Sequence, residues 1–188
     1  MRLSWPIAIG TAFGLGGLAA SYAWWPPPPA PVAAGPQKPA WTEVQWPFLV
    51  DEWGKGKAFR CSPADCGREV ALYVRAKIGF CNCRTGVADD EELERLTDFN
   101  LIGPHRSATG AGKPIAVAWM NGRSRAYALS GSGRSNGTAL SIAFNDRCDA
   151  IVATAVLGDD QPAMIEPDVI AFLNSETILR WAERTLGL

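Results

Sequence analysis

The sequence predicts an α+β protein: a mainly antiparallel sheet covered by a C-terminal helical segment, preceded by one N-terminal transmembrane (signal-anchor) helix. Three patterns lead to this prediction. Residues 7–25 are apolar and uncharged, residues 70–81 alternate apolar and other side chains with period two, and residues 167–186 carry apolar side chains at helical spacing.

The N-terminal segment has the length and composition of a membrane anchor. A helix over residues 7–25 would be about 28 Å long at 1.5 Å per residue, which is enough to cross a bilayer. Arg2 is the only charged residue before Lys38, so the positive-inside rule puts the N-terminus in the cytoplasm. The body of the chain is then expected in the periplasm, held at a bacterial inner membrane.

Two further features of this segment bear on its fate. Gly10 and Gly14 form a GxxxG pair, which allows a second membrane helix to approach closely. The alternative is a signal peptide cleaved near Ala23, after the small-residue pattern that begins at Ser21, with secretion into the periplasm.

Residues 26–40 follow as a proline- and alanine-rich linker, expected in extended polyproline II conformation. Residues 41–188 then fit one extracytoplasmic domain.

The clearest strand is predicted over residues 70–81, where every even position is apolar. Arg75 and Lys77 occupy odd positions and are expected on the outer face. If the alternation continues, Cys81 and Cys83 also point away from the core on that face.

The remaining elements follow from capping and turn patterns. Asp89, with Glu92 three residues later, predicts a helix N-terminus with a capping box. Asn121-Gly122 between β-prone runs predicts a two-residue hairpin turn, which would put Arg123, Arg125 and Tyr127 on one face.

Two more strands are predicted over residues 139–144 and 150–157. A C-terminal helix is expected to begin at Pro167 and to break at Asn174-Ser175. Trp41, Trp46 and Trp53 either pack the first strand onto the core or form an exposed strip for a partner or the bilayer surface.

Net charge is −1 and predicts no nucleic-acid partner, but the local charge is uneven. Residues 99–145 contain basic side chains and no acid, whereas residues 146–176 are acid-rich. The residues predicted to bind an anion or a partner are Arg75, Lys77, Arg123 and Arg125. The alternative is that basic strands pair with acidic loops inside the fold.

Five cysteines in an exported domain indicate disulfides. Cys61 and Cys66 can close a short loop, and we expect Cys81 or Cys83 to pair with Cys148 or with the first group. The alternative is a copper or zinc carrier or a redox protein using Cys81 and Cys83, backed by Cys61 and Cys66. In a third interpretation, the odd cysteine pairs with a partner protein.

No convincing catalytic set is found. Residues 133–137 match the G-x-S-x-G elbow around Ser135, but a strand rather than a helix follows, which indicates a turn. Residues 109–113 resemble a phosphate loop but have Pro114 where Ser or Thr is needed, and His105 belongs to a predicted exposed turn. A hydrolase based on Ser135 is therefore only a third hypothesis.

The sequence thus predicts a non-enzymatic accessory, assembly or binding subunit of an envelope complex. Its expected partners are a membrane protein or envelope-complex subunit and, through residues 7–25, the lipid bilayer. No cofactor is expected, except copper or zinc under the thiol alternative.

Overall fold

The computed structural model describes residues 39–103, 105–130, 137–158 and 161–188. The predicted membrane helix with Gly10 and Gly14, the cleavage position at Ala23 and nearly all of the linker lie outside the described residues. Within the described ranges, no helix is both long and apolar enough to cross a membrane.

The described chain is an antiparallel sheet with a few helices, as the sequence predicts at this level. The strands are β1 (Trp41–Val44), β2 (Lys57–Cys61), β3 (Val70–Lys77), β4 (His105–Ala108), β5 (Lys113–Val117), β6 (Met120–Ser130), β7 (Gly137–Asp146) and β8 (Asp149–Leu157). The helices are α1 (Pro63–Cys66), α2 (Asp90–Leu96), α3 (Phe99–Ile102), α4 (Pro162–Leu173) and α5 (Glu176–Leu186).

All strand pairs are antiparallel, and the sheet order is β1-β2-β3-β8-β7-β6-β4. The strand β5 also pairs with β6, so β4 and β5 follow one another along the same side of that long strand. One border of the sheet is therefore β1, and the other is formed by β4 and β5.

The main core lies between one face of the sheet and helices α4 and α5. Alternate residues of the central strands, such as Leu72, Ile142 and Ala153, are fully buried there with Val169 and Ile178. Burial of such side chains, about 1.5–3 kcal/mol each, is the main force that holds the helices on the sheet.

The second face of the sheet is also covered, which corrects the prediction that the C-terminal helical segment is the cover of the sheet. Leu93 and Leu96 of α2 pack on Ala143 and Val152, and Phe99 of α3 packs on Tyr127. The predicted cap is confirmed, since the Asp89 side chain accepts a hydrogen bond from the Glu92 N–H at 2.8 Å.

The strand predicted over residues 70–81 ends at Lys77. Ile78 is about half exposed, and Gly79 turns the chain with φ of 68°. The alternation therefore does not continue to the cysteines: Cys81 is buried and Cys83 is exposed. The predicted strand is four residues too long at its C-terminal end because nothing in the apolar pattern marks the left-handed turn at Gly79.

The hairpin turn lies earlier than predicted. Val117 pairs with Met120, so the turn residues are Ala118 and Trp119, and Asn121-Gly122 lies within β6. Gly122 serves close packing instead, since an added Cβ would lie 2.7 Å from the Phe144 Cα of β7. A turn at either position leaves alternate residues of β6 on one face. The prediction that Arg123, Arg125 and Tyr127 share a face is therefore confirmed.

The C-terminal helical segment also begins earlier than predicted. Pro162 takes the first turn of α4, and Pro167 lies inside the helix. The predicted break is confirmed, because α4 ends at Leu173 and α5 begins at Glu176 after an extended Ser175.

Candidate functional site

The four basic residues singled out in the sequence lie on the same face of the sheet. Arg75 of β3 is joined through Val152 and Ala143 in a cross-strand row to Arg123 of β6. Successive alternate residues place Lys77 and Arg125 on that face as well. We call these four side chains and the carboxylates that pair with them the ionic face.

Arg75 forms the most buried part of the ionic face and is 1% exposed. Its Nε donates to Asp98 Oδ2 at 3.0 Å, and its Nη1 donates to both Asp51 carboxylate oxygens at 2.7 Å. Lys77 Nζ lies 3.0 Å from Asp98 Oδ1. The Asp98 carboxylate thereby holds both cations, and Asp51 is a second partner of Arg75.

This arrangement shifts the pKa values of its members. The hydrogen bond from Arg75 holds the pKa of the Asp51 carboxyl below its ordinary value. Burial by itself would lower the pKa of the Arg75 guanidinium, but its hydrogen bonds to Asp98 and Asp51 outweigh burial and raise it. Both groups stay charged at any physiological pH.

The second part of the ionic face pairs β6 with α2. Arg123 contacts the Asp90 carboxylate, and Arg125 Nη1 lies 3.3 Å from Glu94 Oε1. Asp90 also accepts the Gly112 N–H at 3.0 Å, which, with the bond from Arg123, holds the pKa of the Asp90 carboxyl below its ordinary value.

The acids that pair with these basic residues are therefore Asp90 and Glu94 of α2, and Asp51 and Asp98 outside it. Of the acid-rich range 146–176, only Glu166 pairs with a base of the basic segment among the described residues, through Lys113 Nζ at 2.5 Å. An anionic ligand would have to displace carboxylates from Arg75, Lys77, Arg123 and Arg125. Anion binding stays a prediction. These ion pairs favour the alternative in which the basic strands pair with acids inside the fold.

Two hollows open beside the ionic face. The first has a volume of about 410 Å³ and includes Trp53 and Phe80, with Lys77 Nζ 5.5 Å from the Trp53 ring centroid. The second, of about 530 Å³, lies along β4 and over Tyr127. Glu94 and Arg106 line both, so the two hollows adjoin. Burial, with the nearby Glu94 charge, raises the pKa of the Tyr127 hydroxyl.

The strand β4 borders the second hollow and forms an open edge. All four residues, His105–Ala108, are exposed, and within the described chain this strand pairs only with β6. The Thr109 N–H donates to the Ala126 carbonyl of β6 at 3.0 Å. Because backbone groups alternate in direction along a strand, Ala108 and Arg106 direct their N–H and C=O groups outward.

The cysteines form two disulfides, Cys61–Cys66 and Cys83–Cys148, and Cys81 is the free thiol among the five, all of which lie in the described ranges. The alternative metal site made of Cys81, Cys83, Cys61 and Cys66 is corrected, because three of those sulfurs are in disulfides and cannot ligate as thiolates. Among the described residues, no group of three or more His, Cys, Asp and Glu side chains could hold a metal ion.

The other motifs have structural explanations where they are described. The loop 109–113 is held by its own chain: Gly110 and Gly112 carbonyls accept from Arg125 and Arg123, at 2.7 and 3.0 Å. His105 lies on β4, while Ser135 lies outside the described residues.

The three tryptophans pack within the fold. Trp41 stacks on Phe172, and Trp46 and Trp53 contact other aromatic rings at 5.2 and 4.7 Å between centroids. This packing favours the first of the two interpretations of the tryptophans.

The sequence pattern predicts none of the four carboxylates of the ionic face, which are Asp51, Asp90, Glu94 and Asp98, as partners of its basic residues. Asp51 and Asp98 belong to irregular segments, so no periodicity marks them, and Asp90 and Glu94 pair with a strand distant in sequence. The signal in the sequence is the row of basic side chains on one strand face. No protein-family model matches the chain, and no curated protein matches it.

Proposed function

We propose that the chain is a non-enzymatic accessory or binding subunit of an envelope complex, anchored in a bacterial inner membrane with its domain in the periplasm. In this proposal residues 7–25 hold the chain in the bilayer, and the linker over residues 26–40 gives the domain reach. The observation that carries the binding role is the open edge at β4.

The compartment is supported by the two disulfides. Bridges of this kind form and persist in oxidising compartments such as the periplasm and are rare in the cytosol. The Cys83–Cys148 bridge joins residues 65 apart in sequence, so it restrains the chain between two distant segments. A domain stabilised in this way suits an extracytoplasmic address.

The partner we propose is an extended, acidic segment of an envelope protein, added to the sheet as a further strand beside β4. Outward backbone groups at Arg106 and Ala108 would supply main-chain hydrogen bonds, which is how edge strands recognise extended peptides. Two exposed basic side chains lie along this border, Arg106 and Lys113, each with one carboxylate partner (Glu94 and Glu166), and they favour a segment with negative charge over one with positive charge.

The test is a backbone substitution that removes one outward donor. Ala108→Pro deletes the Ala108 N–H and leaves the β6-facing groups of Ser107 and Thr109 in place, and proline is tolerated on edge strands. Ala163→Pro is the matched control, because Ala163 is exposed and lies in the first turn of α4, where the N–H has no intrahelical partner.

The parent and both variants carry a photo-crosslinking residue at position 107. Each is expressed as the full chain in its own membranes. We expect a discrete crosslinked product in the parent and in Ala163→Pro, reduced at least about tenfold in Ala108→Pro. Equal crosslinking in all three would contradict edge recognition. Replacing residues 1–25 with a cleavable signal should also reduce association, and unchanged association would contradict the anchored role.

A second candidate function, thiol–disulfide chemistry, is favoured by one separate observation: the free Cys81 is hydrogen-bonded to the backbone of Cys148, a member of the Cys83–Cys148 bridge.

A further inference from the structure

Three cysteines meet at the turn between β7 and β8. Cys148 lies in that turn and is bridged to the exposed Cys83. The Cys81 N–H donates to the Cys148 carbonyl at 3.1 Å, and Cys81 Sγ lies 3.2 Å from the Arg147 carbonyl oxygen. Arg147 and Cys148 of this turn thus hold the residue with the free thiol, and Cys148 also carries the disulfide.

We propose that Cys81, Cys83 and Cys148 form a thiol–disulfide exchange site, in which the bridge moves from Cys83–Cys148 to Cys81–Cys148 and exposes Cys83 as the reactive thiol. The substrate class is a thiol-reactive or disulfide-bearing group of another molecule, met at Cys83. This inference does not depend on the partner surface at β4.

The exchange balances within the chain. The Cys81 thiol gives its proton to solvent, and its sulfur attacks Cys148 Sγ. The Cys81–Cys148 bond forms as the Cys83–Cys148 bond breaks, and the electron pair leaves on Cys83 Sγ, which takes up a proton. One thiol and one disulfide are present before and after, so no oxidant or reductant is consumed.

The surroundings of Cys81 make the exchange slow at neutral pH. Cys81 is 5% exposed and packs among Val87, Leu93 and Leu96. Burial, with the charges of Glu92 and Asp149, raises the pKa of the Cys81 thiol to about 11, against a smaller opposing effect of Arg95. At neutral pH the attacking group is therefore protonated, and exchange is slow.

The Cys83 side of the site is poised for contact with other molecules. Residues 82–85 are all exposed, whereas Cys148 is partly buried. Movement of the bridge therefore transfers the thiol from an interior position to the surface without changing the number of free thiols. The Cys61–Cys66 bridge has no such free neighbour in the described structure and offers an internal control.

The test maps disulfides in the folded full chain in detergent micelles. The chain is pulsed with N-ethylmaleimide at pH 7 and pH 9, quenched with acid, digested without reduction and analysed by peptide mass spectrometry. We expect the adduct on Cys83 with a Cys81–Cys148 bridge, formed at least about tenfold faster at pH 9, because thiolate rises tenfold per pH unit below the pKa. The Cys61–Cys66 peptide should stay unchanged.

Three results would overturn the proposal. They are an adduct confined to Cys81, a chain that takes up no reagent while Cys83–Cys148 persists, and equal labelling of Cys61 or Cys66. Cys81→Ser removes the attacking sulfur, so folded Cys81→Ser should give no Cys83 adduct. If that variant does not fold, the map of the unmodified chain decides by itself.

Discussion

At the scale of single residues, the ionic face is dominated by the burial of Arg75. A guanidinium that has left water is stable only while its carboxylate partners stay in place, and those partners are equally dependent on it. Asp98, itself 6% exposed, also holds Lys77, so one carboxylate fixes two cations. Removing one member of this buried cluster should therefore lower the free energy of unfolding substantially.

Arg75→Ala should lower the free energy of unfolding by about 3–5 kcal/mol, because it leaves Asp98 buried with one cation fewer. The matched control is Arg60→Ala on β2, whose ion pair with Glu69 is exposed on both sides, and which should cost about 0–1 kcal/mol. Urea unfolding followed by tryptophan fluorescence measures both. Similar losses in the two variants would contradict a buried ionic face.

Gly122 tests the register of β6. Gly122→Ala should destabilise the domain by about 1–3 kcal/mol or more, because the added methyl group meets the β7 backbone at Phe144. Gly110→Ala, with nothing near the added Cβ, should change the free energy of unfolding by less than about 1 kcal/mol. A Gly122→Ala variant as stable as the parent would contradict the close approach of β6 to β7 at Phe144.

At the scale of elements, α2 is the part of the fold that the sequence predicts best. Asp89 and Glu92 mark its start because capping is a local interaction, visible in four residues of sequence. Its partners on β6 are not visible in this way, since ion pairs such as Asp90 with Arg123 join segments 33 residues apart.

The same division between local and distant interactions explains the errors in the fold. The strands β7 and β8 and the break before α5 follow from local pattern. The turn at Ala118-Trp119 does not, because it depends on the packing of Gly122 against a strand that follows later in the chain. The cover over Arg75 was also missed, since a polar strand face is normally solvated.

The pairing of α2 with β6 should make stability depend on pH. The pKa of Asp90 is lowered in the folded state, so its stabilising effect is complete above the unfolded pKa of about 3.9 and is lost as pH falls towards the folded value. Asp90→Asn should therefore destabilise at pH 7, with a difference that shrinks below about pH 4.

Glu91→Gln on the exposed side of α2 is the control for this measurement. Chemical unfolding at pH 7, 5, 4 and 3 compares each variant with the parent. A loss for Asp90→Asn that is equal at every pH would show that its carboxylate charge plays no part.

At the scale of the whole molecule, two disulfides differ widely in the length of chain that they close. Cys83–Cys148 spans 65 residues and Cys61–Cys66 spans 5. Since stabilisation by loop closure grows with loop length, replacing both members of the long bridge by serine should cost about 4 kcal/mol, against about 2 kcal/mol for the short one. Unfolding of the two double variants measures the difference, and the reverse order would contradict the account.

The most direct test of the account is the number of free thiols in the chain isolated from its own membranes. Intact mass after alkylation in denaturant, which exposes the buried Cys81, gives that number with and without prior reduction. An exported domain with two bridges predicts one alkylated cysteine before reduction and five after it, whichever partner Cys148 has. Three or more alkylated cysteines before reduction would contradict both the bridges and the periplasmic address.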